Sequence, residues 1–285
     1  PQAAMKFVQS KARRSGPEVT VPGAFTKKGW EQVRRLLGTE AQRLQEDAWV
    51  VDRDDERRDA TSLMLPLRTR YFEDYAQAWA RFLGDLYVQD PGGVEAAAAE
   101  LEALSSGELA YKKLIALVAQ HTILDAEIDA AAVVAAGKAI LDGGAPEKPK
   151  TPVEEAFEPI LAFGLSDEGK GQALGPKLAA YKQLLLKLHG ALTAHRESDT
   201  PSDPKELAEA CRQALADVQE LLGGQTPFTR PLLADLLQKP IQYVAAAAQI
   251  DAGRIVGDRW EQSVWAKWNG KLANRYPFNP KGKDE

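Results

Sequence analysis

Along most of the chain, apolar residues recur at three- and four-residue steps, the spacing that places side chains on one face of an α-helix. The densest case runs from Tyr71 to Tyr87. There Tyr71, Tyr75, Trp79, Phe82, Leu83 and Leu86 share a face, while Glu73, Asp74, Gln77, Arg81 and Asp85 take the other. The stripe is unusually aromatic, and Tyr and Trp have polar tips that need partners when buried. The spacing predicts a core helix. An aromatic platform exposed to a partner has the same spacing and stays open as the alternative.

The remaining pattern reads as helices separated by Gly/Pro breaks. Residues 2–14 are expected as a short helix through Met5, Phe7 and Val8, followed by irregular chain with a brief extended run at Val19-Thr20-Val21. Thr26 is placed as N-cap of a helix carrying Trp30, Val33, Leu36, Leu37, Leu44 and Trp49, interrupted at Gly38. The mixed-charge run Asp52–Asp59 reads as a solvated turn or helix start. Pro66 sits at the first turn of the aromatic helix or kinks a longer one, and Pro91-Gly92-Gly93 ends that helix. Further helices are expected at Val94–Leu104, Ser105–Leu124, Ala126–Leu141, Val153–Phe163, Lys177–Ala194 and from Pro204 to Gly223. Phe228–Ala248 follows, interrupted by Pro240. A last helix from Gly253 carries Trp260, Val264, Trp268 and Leu272 and stops at Arg275-Tyr276-Pro277-Phe278. Neither convincing strands nor a repeat period is present, so the fold class is all-α, a bundle of about ten helices with no substantial sheet. The Gly- and Pro-rich stretch 143–152 is the best linker, dividing helical subdomains 1–142 and 153–285.

Composition narrows the partners. With 44% hydrophobic and 27% charged residues in 285, the chain is ordinary globular material. A formal net charge of −5 disfavours nucleic acid or an anionic membrane surface as main partner. No run is long and apolar enough to span a bilayer, and the N-terminus has no signal-peptide profile. Beginning at Pro1 and ending in Lys-Asp-Glu, the chain reads as a segment of something longer.

Candidate chemistry is sparse. Gly164-Leu-Ser-Asp-Glu-Gly-Lys-Gly171 matches a phosphate-binding loop until its last position, where Gly171 replaces the Ser or Thr that would hold magnesium. Such a loop also needs a preceding strand, and Val153–Phe163 reads as helix, so nucleotide binding through Lys170 is a remote alternative. His189 and His195 lie six apart on no common helical face, and His121 near a helix end reads as a packing or capping residue. Asp125, Glu127 and Asp129 lack the glycine of a calcium loop. Cys211, the single cysteine, sits in a helical pattern with no base beside it in sequence. The expectation is no catalytic residue, no metal site and no cofactor.

Several separate stretches resemble, in order, the periplasmic part of the IcmF/TssM family, the large inner-membrane component of the type VI secretion system. They are Val21-Pro-Gly-Ala-Phe-Thr26 with Glu46-Asp-Ala-Trp-Val-Val51, then the Tyr-x3-Tyr-x3-Trp-x3-Leu core of Tyr71–Tyr87, then Tyr111-Lys-Lys-Leu-Ile with His121-Thr-Ile-Leu124. Phe157–Leu161, Phe228–Leu237 and Arg275-Tyr-Pro-Phe-Asn-Pro280 continue the series. The resemblance implies a structural, non-enzymatic role. Family members are anchored by upstream transmembrane helices and carry a cytoplasmic nucleotide-binding-like region. In the periplasm they join a helical domain to a β-rich C-terminal domain that contacts the outer-membrane lipoprotein TssJ. This chain corresponds to the helical portion, a scaffold with no direct membrane insertion of its own. Implied partners are TssJ, mainly through the missing C-terminal domain, TssL and further TssM copies; a docking module for subunit assembly is the alternative. The family-like motifs mark Tyr71, Tyr75, Trp79, Leu83, Trp49, Trp260, Trp268, Tyr276, Pro277 and Phe278 as structural core.

Overall fold

A computed structural model describes residues 8–10, 20–48, 60–105, 110–124, 150–166, 174–197 and 204–273. These form helices α1 (Lys27–Ala48), α2 (Ala60–Gly84), α3 (Val94–Ser105), α4 (Ala110–Thr122), α5 (Pro152–Gly164), α6 (Pro176–Glu197), α7 (Pro204–Leu221) and α8 (Arg230–Trp260). A 3-10 turn, Gly23–Phe25, precedes α1, and α8 continues through a π-helical turn, Glu261–Trp265, into Ala266–Lys271. The class is all-α. The only sheet among the described residues is one short antiparallel pair, β1 (Val8–Ser10) with β2 (Leu86–Val88), in the register Val8↔Val88. The helix expected at Ala126–Leu141 and the Asp52–Asp59 run lie outside the described residues, as does most of the 143–152 linker.

Four details depart from the sequence expectation, each for a local reason. Val8–Ser10 is a strand rather than part of a helix, paired to the β-prone Leu86-Tyr87-Val88. For the same reason α2 stops at Gly84: the Asp85 amide closes the last turn onto the Arg81 and Phe82 carbonyls, and the chain leaves as β2. Gly38 does not interrupt α1, because single glycines weaken a helix without breaking it. Pro240 does not interrupt α8 either. A proline there removes the N–H that would serve the Leu236 carbonyl. The Tyr111 hydroxyl donates to that carbonyl instead, at 2.9 Å.

The chain divides into two compact units. One is built from 1–89, 106–182 and 220–236, the other from 90–105, 183–219 and 237–285. The first buries Trp30, Tyr75, Trp79, Tyr111, Phe157 and Tyr181, and the second buries Leu101, Leu104, Leu188, Leu192, Cys211 and Val244. Each such side chain removed from water contributes about 1.5–3 kcal/mol. On α6 the predicted stripe Leu178, Tyr181, Leu184, Leu185, Leu188 and Leu192 is buried throughout.

The far part of α8 behaves differently. Val256, Trp260, Val264, Trp265 and Leu272 are exposed. Trp260, marked as core by the family-like motifs, is 53% exposed and is therefore not core; Trp268 is half-buried. Four-residue steps drift by about 40° each on an α-helix. The π-helical turn at Glu261–Trp265 takes more residues per turn and so offsets part of that drift locally. The Trp260 and Trp265 rings stack at 5.7 Å.

Candidate functional site

The most organised cluster in the first unit grows from α2. Residues 71, 75 and 79 lie at successive steps of four, so their side chains leave the same face in a row. All three polar tips end on backbone carbonyls. The Tyr71 hydroxyl donates to Ala24 at 2.5 Å, the Tyr75 hydroxyl to His121 at 2.5 Å, and the Trp79 indole N–H to Phe25 at 2.8 Å. Tyr75 and Trp79 are 0% and 2% exposed, and Leu83, one turn further, is buried; Tyr71 is half-buried. The rings form a continuous aromatic network: Trp30 stacks on Tyr71 at 5.7 Å, and Phe25 meets both tyrosines.

The receiving turn is shaped to meet them. Thr26 caps α1, its hydroxyl oxygen accepting from the Gly29 amide at 3.2 Å while its own O–H donates to the Gly23 carbonyl at 2.7 Å. Gly29 is needed for the close approach. A Cβ there would lie 2.3 Å from the Gly23 carbonyl oxygen. His121 closes the cluster from the end of α4. Its ring stacks on Trp79 at 5.3 Å, and its Nδ1 accepts from the Lys27 amide at 3.4 Å.

Burial holds the polar groups of this clasp in their neutral forms. Burial pushes the Tyr71 phenol up to about 12 and raises Tyr75 as well, so both remain donors. Burial lowers the pKa of His121, so its ring stays neutral and can accept at Nδ1. Burial also pushes the Cys211 thiol up to about 11, which keeps it protonated. Gly164 ends a helix, α5, not a strand; its carbonyl accepts from Gly175, and Leu165 pairs with Leu174. The strand a phosphate loop requires is therefore not there. Among the described residues no three metal-ligating side chains gather, and no helix is long and apolar enough to cross a membrane.

Two clefts lie in the second unit. One of about 440 Å³ runs between the Pro91-Gly92-Gly93 loop with the start of α3 and the Ala247–Arg254 part of α8. The cation lining it, Arg254, is held by Asp251 at 3.0 Å. The other, about 220 Å³, is floored by Leu184 and Leu188 of α6 and Ala210 and Ala214 of α7. Neither assembles an acid, base and nucleophile.

Of the residues singled out in the sequence, Tyr71, Tyr75, Trp79 and Leu83 stand together on α2. Trp260 and Trp268 belong to the other unit, and Trp49, Tyr276, Pro277 and Phe278 lie outside the described residues. Phe25 and His121 complete the clasp and had no chemical signature of their own. The stretches containing them, Val21–Thr26 and His121–Leu124, were legible only as parts of an ordered series. Two further stretches of that series also meet, Phe157 packing edge-on against Phe228 at 5.6 Å.

The family described as IcmF-related, intracellular multiplication and human macrophage-killing, matches residues 1–123. The type VI secretion system component TssM1 of Pseudomonas aeruginosa is 26% identical over 94% of this chain. The chain spans 26% of that relative's length. Among solved structures, a chain of a type VI secretion system membrane core complex superposes with a TM-score of 0.56 at 18% identity, covering 98% of this chain and 54% of that one. A chain of a type VI membrane complex gives 0.50 at 19% identity, covering 99% and 54%.

Proposed function

We propose that this chain, which belongs to the IcmF/TssM family, is a helical scaffold segment of a type VI secretion membrane complex. In this reading it lies in the periplasm, as part of a longer inner-membrane protein, and holds the domains on either side of it in position. The observation that carries the proposal is the convergence of the separate family-like stretches on one clasp. Ala24 and Phe25, then Tyr71, Tyr75 and Trp79, then His121 join through hydrogen bonds to backbone carbonyls. Such bonds fix shape and offer no group for catalysis. The partners in this reading are other subunits of the complex, the lipoprotein TssJ through a domain beyond this segment, TssL, and further copies of TssM.

A second reading, a docking module for subunit assembly, is favoured by the exposed Val256, Trp260, Val264, Trp265 and Leu272 along the end of α8 and the turns that continue it. One co-purification separates the two readings, with the lipoprotein as bait. The prey is this chain alone or the chain extended through the polypeptide that follows it in the longer relatives. Capture of the extended form only supports the scaffold. Equal capture of the short form, abolished by Trp260→Ser with Trp265→Ser, supports docking and removes the simple scaffold.

A further inference from the structure

His121 occupies a singular position in the clasp. It is the point where α4, α1 and α2 meet, through three different parts of one residue. Its backbone carbonyl accepts from Tyr75, its ring face lies on Trp79, and its Nδ1 receives the Lys27 amide at the start of α1. That last contact needs a neutral ring with an unprotonated Nδ1.

We infer that His121 is an acid-sensitive latch: a proton taken from water onto its ring releases the start of α1 and the Gly23–Phe25 turn from the end of α4. Protonation turns Nδ1 into a donor facing another donor, the Lys27 N–H. It also places a positive charge at the N-terminus of α1, where the helix dipole presents its positive end. The Trp79 face attracts an imidazolium, but burial outweighs it, since the ring's pKa is held below its ordinary 6.5. The charged or titratable groups on the elements packed against α4 include Lys27, Lys28, Glu31, Arg34 and Arg35 of α1, Arg68, Arg70, Tyr71, Glu73, Asp74, Tyr75 and Arg81 of α2, and Glu154, Glu155 and Glu158 of α5, with Lys112 and Lys113 on α4 itself. None of them sets the shift, whose cause is burial. Asp74 is engaged with Arg70 and Glu158 with Lys150.

The use of such a latch rests on the proposed periplasmic placement, because a compartment behind water-filled outer-membrane pores shares the acidity of the medium. The latch itself does not rest on it. A protein with the latch can fail to co-purify with secretion subunits, and a scaffold can lack pH sensitivity, so the two proposals fail separately.

The test uses the intact chain and its His121→Gln variant, which can accept a hydrogen bond but does not titrate. Hydrogen exchange of the Lys27–Trp30 amides, corrected for intrinsic rates, is followed from pH 7.5 to pH 5, together with the NMR titration of the His121 ring. In the wild type, protection of these amides falls as pH drops below 6.5, by up to about tenfold per pH unit until the folded ring titrates. Amides of α6 beyond Lys182 keep theirs, and the variant shows no such fall. Equal losses in wild type and variant, or a His121 ring that titrates at or above 6.5, overturn the latch. Should the variant not fold, the wild-type ring titration alone decides.

Discussion

The indole N–H of Trp79 donates to the carbonyl of Phe25 across 54 residues of sequence, at 2.8 Å. That bond ties the C-terminal part of α2 to the turn that precedes α1. It is repeated one and two turns earlier by Tyr75 and Tyr71, so a single helix face reads three backbone carbonyls.

The same device supports α8. Tyr111→Phe should cost about 1–3 kcal/mol in urea unfolding, because the Leu236 carbonyl then lacks both its proline-deleted partner and its tyrosine donor. Adding Pro240→Ala restores an N–H at the right place in the helix, so the double variant should be more stable than Tyr111→Phe alone. A double variant as unstable as the sum of the two single changes contradicts this account.

Two glycines of α1 should respond in opposite directions. Gly29→Ala drives a Cβ into the backbone of Gly23 and Ala24, which cannot yield cheaply, and should cost about 1–3 kcal/mol or more. At Gly38 nothing lies within 4 Å, so Gly38→Ala should stabilise by about 0.5–1 kcal/mol. Thermal unfolding of the two variants checks both signs.

Glu100 on α3 is 1% exposed, and its Oε1 has no protein hydrogen-bond partner. Burial, with the Asp90 charge adding to it, pushes the carboxyl up to about 8 from an ordinary 4.5. The folded state thus keeps a proton that the unfolded chain releases. Stability from this group is full below pH 4.5 and falls up to pH 8, by at most about 1.4 kcal/mol per pH unit. Glu100→Gln should be more stable than wild type at pH 7 and show a flatter pH profile. A variant less stable than wild type at pH 7 contradicts it.

How much of this was legible in the sequence differs by residue. Periodicity located the α2 and α6 stripes, because side chains three and four apart must share a face whatever surrounds them. It could not show that Tyr75 reaches His121 or Trp79 reaches Phe25, since those partners are backbone atoms and any residue supplies them. Nor could it separate Trp79 from Trp260, as both sit in four-residue stripes and only the neighbouring elements decide which is covered. Pro240 looked like an interruption because the donor that replaces its N–H lies 125 residues before Leu236. Glu100 stood inside an Ala-rich helix with nothing local to announce its burial.

If the aromatic clasp holds the shape of this segment, paired tryptophan substitutions separate it from the exposed end of α8. Measured by chemical unfolding, Trp79→Ala should cost about 3–5 kcal/mol, as expected for a buried large aromatic. Trp260→Ala, on the exposed part of α8, should stay within about 0.5 kcal/mol of wild type. A Trp79→Ala protein that unfolds at the wild-type midpoint would contradict the account.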